Sequence, residues 1–226
     1  MSKFLHYSSL TKKIIMSVAG IFLMLFLIVH LGINLFILPI TEGHQDVFHE
    51  AVKFMTTNPL VKIGEIVLFA GFIIHIIQGV VLQLQNWMAR PKRYRIEGWS
   101  HTSVFSKFMI HTGAVVFVFL VIHLCNFYFV KLGFTEAPQG PAHVENNHDF
   151  YHMAINLFSS PGYSIMYIIM IIILGFHLNH AFQSAFQTFG LNHSKYTPVI
   201  KVIGHLYSIA IPLGFIIIPL YFLLIN

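Results

Sequence analysis

The sequence predicts an all-α integral membrane protein, built as a bundle of five transmembrane helices. Hydrophobic residues make up 56% of the 226 residues and charged residues only 9%, with a mean hydropathy of +0.74. Soluble domains average about 45–50% apolar and about 25% charged residues. The apolar residues also form long continuous runs, whereas the strands of a membrane barrel would alternate over segments of about ten residues. Both observations favour helices that cross a bilayer.

Five apolar runs define the predicted helices, at 14–38, 60–87, 104–130, 163–189 and 199–224. Each is long enough for the roughly 20 helical residues that a hydrocarbon core requires. Backbone groups in lipid have to bond within their own segment, so each run is expected to be helical. Residues that stop or start helices for steric reasons mark the ends: Pro39, Pro59, Gly133, Pro161, Gly190 and Pro198. We expect one membrane domain over residues 1–226.

Basic residues predict the orientation of the bundle. They concentrate before the first run, between the second and third, and between the fourth and fifth, at Lys3, Lys12, Lys13, Arg90, Lys92, Arg93, Arg95, Lys107, Lys195 and Lys201. The positive-inside rule therefore places the N-terminus in the cytoplasm and the C-terminus outside. The first run is too long for the apolar region of a cleavable signal. The net charge of +5 is mainly a topology signal and gives little support to nucleic-acid binding. The basic face either anchors at the lipid surface or docks a soluble partner.

Cys125 is the only cysteine. An internal disulfide, a cysteine-ligated iron–sulfur cluster and the covalent attachment of a c-type haem are therefore excluded.

Four histidines, His30, His75, His123 and His177, each lie deep inside a different one of the first four apolar runs. At about 1.5 Å of rise per residue, His30 and His123 both lie roughly 14 Å from the outer ends of their runs, and His75 and His177 both lie roughly 24 Å from theirs. Bundle interiors build cofactor sites from side chains on facing helices. Two imidazoles per iron give a six-coordinate haem that passes electrons. The pattern predicts two b haems enclosed in the bundle, one at each depth.

Glycines accompany these histidines. Gly71 and Gly79 lie four residues before and after His75, on the same helical face, where they would give a haem clearance. Gly32 and Gly175, two residues from a histidine, are weaker signals. The alternative, that small residues pack the helices together, stays open.

The remaining histidines fit the pattern less well. His180 follows His177 by three residues and is either the ligand itself or a neighbouring group. His111 and His205 lie near the cytoplasmic ends of their runs. A metal site in the outer connections is not favoured, because the spacing of their histidines matches no ligand pattern: His44, His49, His143, His148 and His152.

The histidine motifs resemble those of a known family, the five-helix dihaem cytochrome b subunit of succinate dehydrogenase and fumarate reductase. They read L-I-V-H-L-G-I-N-L-F around His30, F-I-I-H-I-I-Q-G around His75, F-L-V-I-H-L around His123 and G-F-H-L-N-H-A-F-Q-S-A-F-Q-T-F-G around His177. The resemblance covers essentially the whole chain, and the order of one motif per helix is its most specific part.

The resemblance implies a membrane anchor of a succinate:quinone oxidoreductase in the bacterial cytoplasmic membrane. His30 and His123 would bind the outer haem, and His75 and His177 the inner one, with His177 preferred over His180. A flavoprotein subunit and an iron–sulfur subunit would dock on the cytoplasmic face and deliver electrons from succinate. This chain would then pass them to a quinone, for which menaquinone is expected.

Quinone reduction consumes protons, and three outer residues are candidates for the quinone site on position alone: His49, Glu50 and Glu42. An ordinary solvated surface is the alternative. Some fumarate-reducing relatives carry a glutamate two residues before the fourth histidine, whereas this chain has Gly175 there, which favours succinate oxidation.

Three other functions remain as alternatives. Cytochrome b subunits of formate dehydrogenase, hydrogenase or nitrate reductase also hold haems, but they concentrate ligands on fewer helices. A histidine-using proton or metal transporter would need ionisable residues along a path, yet Glu65 is the one acidic residue in the five runs. A cofactor-free anchor would not need all four histidines.

Overall fold

The computed structural model describes residues 9–88, 108–191 and 193–225, and these ranges are helical with no strand. The helices are α1 (Ser9–Asn34), α2 (His44–Thr57), α3 (Pro59–Met88), α4 (Met109–Lys131), α5 (Phe150–Phe158), α6 (Pro161–Thr188) and α7 (Thr197–Ile225). A 3-10 turn over Leu35–Ile37 extends α1, and one turn of α4, Leu124–Tyr128, is a wider π-helix.

Five of these helices, α1, α3, α4, α6 and α7, are long and apolar enough to span a membrane. This confirms the all-helical, five-span architecture. Both α3 and α6 begin at the predicted prolines, where the missing amide hydrogen costs no helical bond. Helix α1 begins earlier than predicted, at Ser9. The predicted start of the third run, residues 104–107, lies outside the described residues.

The two connections at the predicted outer end are not plain loops. Each contains a helix, α2 in the first and α5 in the second. Neither was recognised, because both are shorter than a membrane span and α2 is only weakly apolar. Phe48 of α2 is buried, and the carboxylate of Asp149 caps α5 by accepting a hydrogen bond from the amide of His152.

Helices α1, α3, α4 and α6 form a four-helix group. In this group α1 packs against α3 and α6, α4 packs against α6, and α3 has a looser contact with α4. The diagonal pairs are α1 with α4 and α3 with α6, whose backbones have at most sparse contact within the described ranges. Helix α7 lies outside this group and packs along α6. A Cβ atom on Gly175 would lie 3.1 Å from Pro212 Cγ and 3.1 Å from the Ser208 carbonyl oxygen. This glycine therefore lets α6 and α7 approach closely.

An apolar core closes the predicted outer end of the bundle. It joins Leu38, Phe48 and Leu157 to Tyr167 and Phe222, so that α2 and α5 cover the ends of the spanning helices. Lys12, Lys13, Lys195 and Lys201 belong to the opposite end. The other basic residues on which the orientation rests, Lys3, Arg90, Lys92, Arg93, Arg95 and Lys107, lie outside the described residues, and the orientation stays a prediction.

Candidate functional site

His30 and His123 face each other across the diagonal between α1 and α4. Their ring centroids lie 5.7 Å apart, and their planes are inclined at 86°. Both rings lie among aromatic side chains, with Phe26 stacked 5.2 Å from His30 and Phe127 at 5.2 Å from His123. The structure thus brings together the two histidines that their depth had placed at the outer level.

His75 and His177 face each other across the second diagonal, between α3 and α6. Their ring centroids are 6.3 Å apart with an interplanar angle of 77°. His177, and not His180, makes the ring contact with His75. The four histidines therefore form two separate pairs, and the spatial pairing agrees with the pairing by depth.

The spacing within each pair fits a metal ion held between two imidazoles. A nitrogen that binds a transition-metal ion lies about 2 Å from it and about 1 Å from its own ring centroid, so the centroids of two opposed ligands lie about 6 Å apart. The two observed separations, 5.7 and 6.3 Å, lie on either side of that value. Two imidazoles at this spacing leave no room on the axis for a third ligand.

One member of each pair has a side-chain neighbour at Nδ1, but the two neighbours differ in chemistry. Asn34 Nδ2, which can only donate, lies 3.3 Å from His30 Nδ1, and Thr112 Oγ1, which can also accept, lies 3.4 Å from His177 Nδ1. The other member, His123 or His75, has a buried Nδ1 without a side-chain hydrogen-bond partner among the described residues. With the ring spacing, each pair would fit a haem iron bound between two imidazoles.

Two glycines that were not predicted from the sequence lie directly beside the inner rings. A Cβ on Gly20 would lie 3.5 Å from His75 Cε1, and a Cβ on Gly113 would lie 3.5 Å from His177 Cε1. They are on α1 and α4, the helices that contribute no histidine to the inner pair. No sequence spacing could have found them, since each meets a histidine on another helix.

The glycines singled out from the sequence have other neighbours. A Cβ on Gly71 would meet Phe22 Cδ1 at 3.3 Å, and one on Gly79 would meet Met16 Cε at 3.7 Å, so both face side chains of α1. A Cβ on Gly32 would have no neighbour within 4 Å among the described residues. Clearance for a haem at Gly71 and Gly79 stays a prediction, while their present contacts are those of helix packing.

The three quinone-site candidates separate in the structure. Glu50 and Glu42 are exposed, and the Glu50 carboxylate lies 3.5 Å from the ammonium of Lys53. His49 instead lines a cavity of about 320 Å³ between α2 and the loop that leads into α5, residues 145–149, together with His152. Its Nε2 lies 4.0 Å from Asp149 Oδ1. Of the three residues, His49 alone belongs to a structured polar site.

Asp149 is the centre of that polar site. It is buried and accepts hydrogen bonds from the Glu145 amide and from His152, whose Nδ1 lies 2.8 Å away. Burial alone would raise the pKa of its carboxyl, but the hydrogen bonds from Glu145 and His152 outweigh burial and hold the pKa below its usual range. The carboxylate therefore stays charged and ties α5 to its preceding loop.

Glu65 forms hydrogen bonds to two side chains at the same end of the bundle. Its carboxylate accepts hydrogen bonds from the Tyr128 hydroxyl at 2.5 Å and from the Lys131 ammonium at 3.0 Å, which joins α3 to α4. The π-helical turn that contains Tyr128 also carries Asn126, whose amide donates to the hydroxyl of the buried Tyr167. Tyr167 lies against His123, with ring centroids 6.3 Å apart.

The other histidines are at the surface or apart from the pairs. His111, His205, His143 and His148 are exposed. No group of three or more His, Cys, Asp or Glu side chains within the described part of the chain has a geometry that could hold a metal ion. A bis-histidine pair involves only two such side chains.

Comparison of the chain with protein-family models, with curated proteins and with solved structures finds no match.

Proposed function

We propose that this protein is the membrane-anchor cytochrome b subunit of a succinate:quinone oxidoreductase. The observation that carries the proposal is the pair of diagonal histidine contacts, with ring centroids 5.7 and 6.3 Å apart at two depths in the bundle. His30 and His123 would hold one b haem, and His75 and His177 the other. The choice of succinate as electron source rests on the motif resemblance.

When bound, a haem iron ligated by two imidazoles exchanges single electrons and has no open position for oxygen. The protein's own residues hold and orient the ligands. Asn34 and Thr112 fix two of the imidazole rings, and the aromatic side chains of Phe26, Phe127 and Tyr167 shield the outer pair from water. A dry, rigid surrounding keeps the reorganisation that accompanies electron transfer small.

The arrangement gives less support to a transporter. Glu65, the one acidic residue in the five spans, is engaged by Tyr128 and Lys131. A proton or cation path would need a series of such groups along the bundle.

The motif resemblance implies the partners, and the predicted orientation gives the end of the bundle at which each would bind. A flavoprotein subunit and an iron–sulfur subunit would dock at the cytoplasmic end, next to His75 and His177. A membrane quinone, with menaquinone expected, would react near the outer end, next to His30 and His123. The bacterial cytoplasmic membrane is the location that this assignment implies.

The test is a dithionite-reduced minus oxidised spectrum of the purified protein, with haem quantified as its pyridine complex. We expect a b-type spectrum and about two haems per chain. His75→Ala and His177→Ala should each remove one haem, the same haem in both variants. His30→Ala and His123→Ala should remove the other.

His205→Ala is the matched control, because His205 is an exposed histidine on a spanning helix and should retain both haems. A folded, assembled protein without haem would refute the proposal. Loss of the same haem from His30→Ala and His75→Ala would refute the pairing. Reduction of the haems by succinate in the isolated complex would support the assignment of the electron donor over formate or hydrogen.

A further inference from the structure

Thr112 contacts the inner histidine pair from a helix that carries neither of its histidines. The spacing of residues in the sequence did not indicate this contact. It lies on α4, near the start of the helix, and its Oγ1 is 3.4 Å from His177 Nδ1 on α6. The same hydroxyl donates to the carbonyl oxygen of Met109 at 3.0 Å. The two contacts together restrict how the hydrogens at this position can be arranged.

A threonine hydroxyl has one hydrogen and can accept with its oxygen. If the hydrogen goes to Met109, the oxygen is left to accept a hydrogen bond from His177 Nδ1–H. Both contacts are then satisfied at once. If the hydrogen goes to His177 instead, the contact with Met109 has no donor. The first arrangement is therefore favoured.

The favoured arrangement decides which nitrogen of His177 is available. A neutral imidazole that carries its hydrogen on Nδ1 has its free lone pair on Nε2. Ligating histidines commonly donate the other ring N–H to an oxygen acceptor, which fixes the tautomer and raises the basicity of the ligand. The inner partner, His75, has no corresponding side-chain partner at its Nδ1 among the described residues.

We infer that Thr112 is a positioning residue that holds His177 in the Nδ1–H tautomer and thereby lowers the midpoint potential of the inner haem. The inference rests on the proposed function, because it presupposes an iron bound at His177 Nε2. A more basic imidazole stabilises ferric iron more than ferrous iron, so the hydrogen bond favours the oxidised haem. The outer haem should be unaffected, since Thr112 does not contact His30 or His123.

The test compares Thr112→Val, which keeps the shape but has no hydroxyl, with Thr112→Ser, which keeps the hydroxyl. Each purified protein is titrated through its redox range while haem absorbance is recorded, and the inner haem is identified by its absence from His75→Ala. Losing such a hydrogen bond costs about tenfold or more in metal affinity. We expect this loss in Thr112→Val to fall on ferric iron, so the preference of the inner site for ferric over ferrous iron should drop by about tenfold. For a one-electron couple this is an upward shift of about 59 mV.

Thr112→Ser should retain the wild-type potential, and the outer haem should not shift in either variant. Loss of the inner haem from Thr112→Val, with retention in Thr112→Ser, would also support a requirement for the hydroxyl. An unchanged inner potential in Thr112→Val, or equal shifts in Thr112→Val and Thr112→Ser, would overturn the inference while the wild type still holds two haems. A wild-type protein without haem would instead refute the proposed function.

Discussion

Gly20 offers a direct test of whether the space beside His75 belongs to a haem site. A Cβ at this position would lie 3.5 Å from His75 Cε1 and 3.6 Å from its Nδ1, which is ordinary van der Waals contact. Gly20→Ala should therefore be tolerated. The branched end of a leucine extends about 2.5 Å beyond Cβ, farther than the available gap, and such overpacking costs about 1–3 kcal/mol.

We expect this strain to destabilise the haem-bound protein. Because each 1.4 kcal/mol changes a binding constant tenfold, Gly20→Leu should weaken binding of the inner haem by about 5- to 150-fold. The assay is haem content per chain, measured as the pyridine complex after purification in detergent. We expect a fall from about two haems toward about one, with the lost haem matching that of His75→Ala.

Gly32→Leu is the matched control on the same helix. Gly32 is closer in sequence to a histidine than Gly20 is, but in the part of the chain that the structure describes nothing lies within 4 Å of its Cβ position. This variant should keep both haems. Retention of two haems in Gly20→Leu, or an equal loss in Gly32→Leu, would show that contact with His75 is not what matters.

Three further predictions concern the polar and close-packed contacts. Glu65→Gln should lower the stability of the detergent-solubilised protein in thermal unfolding by about 1.5–3 kcal/mol, because a charged hydrogen-bonded pair between α3 and α4 is lost. Glu50→Gln, at an exposed position, should change stability by less than about 0.5 kcal/mol. Equal effects of the two substitutions would contradict a structural role for the Glu65 contacts. The pKa of Asp149 is lowered in the folded protein, so its contribution to stability is present above the unfolded pKa of about 4 and is lost as pH falls through the lowered value. The stability advantage of wild type over Asp149→Asn should therefore shrink as pH falls below about 4. A difference that stays constant with pH would contradict this. Gly175→Ala should force α6 and α7 apart and lower the stability of the protein by about 1–3 kcal/mol. Gly64→Ala, at a position with open space around its Cβ among the described residues, should not lower it. The melting temperatures of the two variants measure this difference.

The sequence identified the spanning helices because lipid leaves few choices. Runs such as 60–87 are too apolar and too long for anything but a membrane helix, and Pro59 and Pro161 fixed two of the starts. It missed α2 and α5, since a short helix at the membrane surface lacks the continuous apolar signal of a span. The π-helical turn of α4 at Leu124–Tyr128 was also missed, because its stability comes from contacts with other helices.

The candidate site, too, could be predicted from the sequence only in part. His30, His75, His123 and His177 could be identified from the sequence, because histidines are costly in apolar spans and depth along a helix is simply a count of residues. That they meet across the two diagonals of a four-helix group depends on how the helices pack.

By itself, then, the sequence determined five membrane helices and two levels of paired histidines, because both follow from spacing along single segments. Only the tertiary structure decided what surrounds each ring. Gly20, Gly113 and Thr112 lie on helices other than those of the histidines they contact, and Gly71 faces Phe22 of α1. Such contacts join residues far apart in the chain, and side-chain packing between helices selects them.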